Sequence, residues 1–193
     1  MIAFAAMLFL GAAAGWIAAG AARRHPRWYL RLTAMLYAAM ALSAATAFAT
    51  SAVTQIVATL AAPLLAMAVY GTFRRAPPPP VAATIILATT CVAGIAAAAT
   101  GTAFLSTLPQ VLAALAIFAM ARRVTIKRSR LYLLLGVVSL LGAAACQLID
   151  GTVAGAGLLL FSAAGLLGIA LASDVLVEQR QKDEGRLAVR RAR

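Results

Sequence analysis

Seven uncharged, apolar runs divide this chain, and every basic residue lies between them or after the last of them. The runs fall at residues 2–22, 32–50, 54–73, 81–101, 105–121, 131–149 and 152–173. A hydrocarbon core about 30 Å thick takes roughly 20 mostly apolar residues per helix, so each run has the length of one crossing. Backbone groups inside a bilayer must be satisfied within their own segment, which leaves helices as the way to make such crossings. The expected fold is therefore all-α: a polytopic integral membrane helical bundle with seven transmembrane helices. The fifth run is the shortest and starts at a Leu108-Pro109-Gln110 step.

The 17 Lys and Arg residues set the orientation. Arg23, Arg24, Arg27 and Arg31 separate the first two runs, and Arg74 and Arg75 separate the third and fourth. Arg122, Arg123, Lys127, Arg128 and Arg130 separate the fifth and sixth, and the remaining bases follow the seventh, from Arg180 to Arg193. The other three connections carry Asp150 as their one formal charge. Basic residues in short loops mark the cytoplasmic side, so the amino terminus is expected outside and the carboxyl terminus inside. Merging the fourth and fifth runs would put the Arg74–Arg75 and Arg122–Arg130 loops on opposite faces, which argues for seven crossings. Arg23-Arg24 follow the first apolar run and no basic segment precedes it, so an uncleaved first helix is expected in place of a signal peptide. The expected organisation is a seven-helix domain over residues 1–174 and a basic cytoplasmic tail over 175–193. A bacterial cytoplasmic membrane is the expected location.

A net charge of +12 would suggest nucleic-acid binding in a soluble protein. Here 64% of the residues are hydrophobic and the bases line up on one face, which points to a belt at an anionic leaflet. Arg23, Arg24, Arg122 and Arg123 are the expected contacts for anionic lipid headgroups. No nucleic-acid partner is expected.

Alanine dominates the runs, with Gly, Ser and Thr beside it. Small residues let helix backbones approach closely in lipid, where little hydrophobic force acts between helices. Gly11-xxx-Gly15 and Gly151-xxx-Gly155 have the small-xxx-small spacing and are expected to pack helices, within the bundle or in a homo-oligomer. Residues 51–61 resemble residues 106–116, and the same offset of 55 sets Arg75 against Arg130 and Cys91 against Cys146. This would make two helical hairpins a duplication of the kind that places binding sites at a repeat interface. Pro63 is expected to kink the third helix, and Pro77–Pro80 to form a stiff connector that spaces two helices.

Reactive chemistry is scarce. His25 is the single histidine and lies beside Pro26 in a basic loop, so one chain cannot supply bis-histidine haem ligation or a His-rich metal site. No Ser-His-Asp or Cys-His set assembles around it. Lys127 and Lys182 both lie in expected cytoplasmic segments, so a Schiff base within the membrane has no lysine. Asp150 and Asp174 flank their helices at the ends, and a lone carboxylate without a placed partner makes a poor acid–base catalyst. Neither a cofactor nor a metal is expected. Cys91 and Cys146 lie at different depths, which argues against a disulfide.

What stays polar is amide and hydroxyl. Gln55, Gln110, Gln147 and Asp150 all fall toward the expected outer ends of their helices, where they could form a polar ligand-binding vestibule. The leading expectation is a non-enzymatic membrane protein that binds a lipid, an apolar ligand or a membrane-protein partner in a sensory, scaffolding or accessory role. The alternative is a small uncoupled transporter of a neutral solute. Pro109-Gln110 resembles the Pro-Gln step of PQ-loop and SWEET-type transporters, which also have seven spans with the amino end outside. Those families are built as three-plus-one-plus-three helices, whereas the offset here pairs the third helix with the fifth. Thr54-Gln55 stands where the first Pro-Gln would fall.

Overall fold

A computed structural model describes residues 2–24, 51–74, 76, 78–149 and 152–191. Six helices run through them, with no strand among the described residues: α1 (Ile2–Arg24), α2 (Ser51–Arg74), α3 (Pro80–Thr100), α4 (Ala103–Ala121), α5 (Lys127–Gln147) and α6 (Thr152–Arg191). The expected crossing at 32–50 lies outside the described residues, as do Asp150 and Gly151. Among the described residues, four helices, α3 to α6, are long and apolar enough to cross a membrane. The chain has the makings of an integral membrane protein.

Local chemistry explains the helix ends. Pro79 caps α3 and Pro80 occupies its first turn, where a missing N–H costs nothing. The helix stops at Gly101, whose φ of 67° lies in the left-handed region that glycine enters without a Cβ penalty. Only Thr102 then separates α3 from α4, so a short turn joins the two helices. Between α4 and α5, Arg123 and Val124 donate to the Met120 and Ala121 carbonyls, closing the last turn of α4.

One boundary differs from that expected. Lys127, Arg128 and Arg130 belong to the first turn of α5, not to a loop, because Ile126 starts the helix and its carbonyl accepts the Arg130 N–H. Helix α6 continues through residue 174 to Arg191 without a break, 40 residues in all. At 1.5 Å per residue it is about 60 Å long, twice the thickness of a hydrocarbon core. Its packed portion includes Leu176 and Val177, both buried.

Helix α6 is the spine of the bundle, packed along both α5 and α1. Helix α4 joins α5 to α2, and α3 lies against α2 with a looser contact to α4. Ile117, Leu133, Leu166, Ile169 and Val177 are fully buried between these elements, in a core otherwise made largely of alanine. The α5–α6 seam is especially close. A Cβ on Gly168 would lie 3.0 Å from the Tyr132 carbonyl oxygen and 3.3 Å from the Gly136 nitrogen, so the two backbones nearly touch. Close approach of this kind is how helices associate when lipid supplies no hydrophobic drive.

Side-chain bonds tie the helix ends together. Ser129 Oγ, at the start of α5, donates to the Ala172 carbonyl on α6 at 3.0 Å. Thr72 Oγ1, near the end of α2, lies 3.3 Å from Ser173 Oγ. Arg180 of α6 donates to the Thr72 and Phe73 carbonyls at 2.7 and 3.2 Å. These contacts set Arg74, Arg122, Arg123, Lys127, Arg128, Arg130 and Arg180 at one end of the bundle. At the opposite end, Ser106 in the second turn of α4 donates to Gln147 in the last turn of α5.

The 55-residue offset does not carry into the helix boundaries. Moving α2 by 55 residues would end it at residue 129, whereas α4 ends at Ala121 and 129 lies inside α5. Arg130, the proposed counterpart of Arg75, lies within α5.

Candidate functional site

The four residues of the expected vestibule have different settings. Gln110 lies on α4 one turn after Ser106 and is 3% exposed. Gln147 closes α5, is half-buried, and accepts the Ser106 hydroxyl at Oε1 across 3.3 Å. Gln110 and Gln147 thus belong to the α4–α5 region of the bundle, with Ser106 bridging the helices. Gln55 lies in the first turns of α2; its side chain, like the whole of Asp150, lies outside the described residues. Among the described residues, no group of three or more His, Cys, Asp or Glu side chains converges.

The expected packing glycines also separate. Gly11 and Gly15 are both buried on α1. Gly155 is exposed near the start of α6, and a Cβ there would meet nothing within 4 Å. The close α5–α6 approach instead uses Gly136, Gly142, Gly157 and Gly168. Arg122 and Arg123 are exposed just past the end of α4. The side chains of Arg23 and Arg24 lie outside the described residues.

A wide opening lies elsewhere, between α2, α3 and α4. It is a cavity of about 770 Å³, within the range of small-molecule sites. Helices α3 and α4 are joined by the short Gly101–Thr102 turn at one end, and the cavity follows their gap toward the other. On α3 its wall extends from Pro79 to Ala93, about 20 Å along the axis. Leu108, Leu112, Ala116 and Met120 form the facing wall on α4.

Both prolines inside described helices line this cavity: Pro63 on α2 and Pro109 on α4. Each lacks the N–H that would bond the carbonyl four residues back, and its ring crowds that turn, so neighbouring helices cannot pack as evenly there. The polyproline connector supplies Pro78 and Pro79 to the mouth. Pro63 was expected to kink its helix and Pro77–Pro80 to space two helices, but nothing in the sequence shows that prolines from three elements border one space.

The wall is chemically quiet. Its polar members are Tyr70, Thr89 and Thr90. Thr89 Oγ1 donates to the Ile85 and Ile86 carbonyls at 2.9 and 3.0 Å. Thr90 Oγ1 bonds the Ile86 and Leu87 carbonyls at 2.8 and 3.0 Å. Hydroxyls that bond their own helix in this way present little demand to a ligand. Tyr70 stands near the basic end, with the Arg74 guanidinium 6.0 Å from its ring centroid. Ile86, Leu108 and Leu112 line the cavity and are 42%, 43% and 57% exposed, so it opens along the outer surface of the bundle.

Such a site can hold an apolar chain or ring; its described lining carries no carboxylate, histidine or cysteine. Comparison of the chain with protein-family models, with curated proteins and with solved structures finds no match to any of them.

Proposed function

We propose that this protein is a seven-pass membrane protein, amino terminus outside and carboxyl terminus in the cytoplasm, that binds an apolar ligand in the α2–α3–α4 cavity without transforming it chemically. The observation that carries this reading is the cavity itself: about 770 Å³, walled by apolar side chains and open to the bundle's outer surface. In a bilayer, exposed apolar residues face acyl chains, so the route into the cavity is lateral, from the membrane. The crossing at 32–50 completes an odd number of spans. Grouping of the basic residues at one end of the described bundle supports the orientation, because cytoplasmic loops carry that bias. Anionic lipid at this face and self-association remain proposed partners.

Passage of a neutral solute by way of the glutamines draws less support. Gln110 is packed within the bundle, and the Ser106–Gln147 bond joins two helix ends in the same region. The cavity's hydroxyls are turned to their own backbone, which suits an apolar occupant better than a sugar or amino acid.

The test is mass spectrometry of species retained by the full-length protein after purification from native membranes. Ala82 and Ala116 line the cavity from opposite walls and are both exposed, so a phenylalanine at either position would fill space without crowding the core. The native protein should carry a defined apolar species that both Ala82→Phe and Ala116→Phe lose. Equal retention by all three proteins would refute the proposal.

A further inference from the structure

We propose that the occupant is an anionic membrane phospholipid, with one acyl chain in the α2–α3–α4 cavity and its phosphate at Arg74; this rests on the binding reading above.

The cavity is polarised along its length. Toward Ala93 and Leu108 its wall is apolar, and toward Pro79 and Met120 it approaches the end of the bundle that carries the basic residues. Tyr70 belongs to the wall at that end, and Arg74 follows one helical turn later with its guanidinium over the Tyr70 ring. The Arg74 side chain is exposed, so its donors remain accessible while the ring holds it beside the mouth. An aromatic face at about 6 Å is a suitable platform for a guanidinium, whose planar fork matches two phosphate oxygens. A ligand that satisfies both regions has an apolar chain of about the cavity's length and a negative head at one end.

The lateral opening selects a membrane lipid over a water-borne ligand. Exposed Ile86 and Leu112 border the cavity on its membrane side, so a two-chain lipid can place one chain inside and leave the other in the bilayer. Arg74 stands where the headgroup of that lipid would lie in the cytoplasmic leaflet, at the end of α2. The satisfied hydroxyls of Thr89 and Thr90 leave the chain's path free of polar competition.

Native mass spectrometry of the full-length protein, equilibrated with dioleoyl phosphatidylglycerol or dioleoyl phosphatidylcholine, tests this directly. The two probes share their chains and differ in headgroup charge. Retention of phosphatidylglycerol should exceed that of phosphatidylcholine about fivefold, the factor expected from one basic side chain near an anionic surface. Arg74→Gln should abolish that preference while leaving chain retention intact. Arg130→Gln, on a helix that does not line the cavity, should leave the preference unchanged, and thermal unfolding of each variant reports on folding. An absent preference, or one that survives in Arg74→Gln, overturns the headgroup assignment. If Ala82→Phe and Ala116→Phe then still abolish retention of both lipids, the apolar-binding reading stands alone. If those variants retain both lipids like the native protein, the cavity is not the binding site and both readings fall.

Discussion

Arg180 Nη1 donates to the Thr72 carbonyl oxygen at 2.7 Å, and its Nη2 reaches the Phe73 carbonyl at 3.2 Å. These two residues are more than a hundred positions apart in sequence. The bond lets a side chain from the far part of α6 cap the carboxyl end of α2, where carbonyls lack helical partners and the helix dipole is negative. The extended portion of α6 is therefore held to the bundle, not merely appended to it.

Removing that cap should be measurable. Arg180→Ala is expected to cost about 1–2 kcal/mol, the scale of a partly exposed, charge-assisted hydrogen bond. Arg180→Lys should recover only part of this, because one ammonium cannot reproduce the planar fork across two carbonyls. Thermal unfolding in detergent would register both changes. A native midpoint for Arg180→Ala would show that the cap contributes nothing.

Two glycines on the same helix should respond oppositely to alanine. At Gly168 the new methyl group would meet backbone atoms of Tyr132 and Gly136, which cannot swing aside as a side chain can. Gly168→Ala should therefore destabilise the protein by about 1–3 kcal/mol. Gly155 has open space around it, so Gly155→Ala should be neutral or should stabilise by up to about 1 kcal/mol through helix propensity. Paired unfolding curves decide whether the α5–α6 contact is as close as described.

The α3–α4 turn makes a conformational prediction. Gly101 sits at φ 67° with no neighbour that a Cβ would strike, so any penalty there comes from the backbone alone. Gly101→Ala should cost about 1–2 kcal/mol. Gly101→Asn should cost less, since asparagine visits the left-handed region more readily. Equal stability of both variants with the native protein would mean that the turn relaxes to another conformation.

The bundle's two ends should face different compartments. With Cys91 and Cys146 replaced by alanine, cysteines introduced by Arg123→Cys, Gln181→Cys and Thr102→Cys would all occupy exposed positions. A membrane-impermeant maleimide added to intact cells should modify the Thr102→Cys protein alone. The other two should react only after the membrane is opened. Labelling of Arg123→Cys from outside would reverse the proposed orientation.

Helix existence was legible because uncharged runs of membrane length leave the backbone few alternatives. The runs at 54–73, 81–101 and 105–121 match α2, α3 and α4 to within three residues at each end. The start of α5 was not visible from hydropathy, since Lys127 and Arg128 are polar yet helical. Hydropathy reports the solvent around a residue, and a helix can pass from lipid to water without changing its backbone. The site was less legible still. Gln110 is polar yet packed away, while the cavity is built mostly from Ala, Leu, Ile and Pro, which carry no chemical signature.

Chain order and residue chemistry alone determined that this protein would be helical and membrane-suited, and where many of its turns fall. Lipid-length apolar runs, Gly101 and the basic separators act locally, so their consequences need no knowledge of neighbours. Only the tertiary structure decided that Gly168, not Gly155, meets a facing backbone, that Arg180 caps α2, and that Pro63 and Pro109 border one space. In a chain this rich in alanine every helical face is nearly as small and apolar as the next, and periodicity cannot say which face meets which. That choice is made by shape, when whole helices pack.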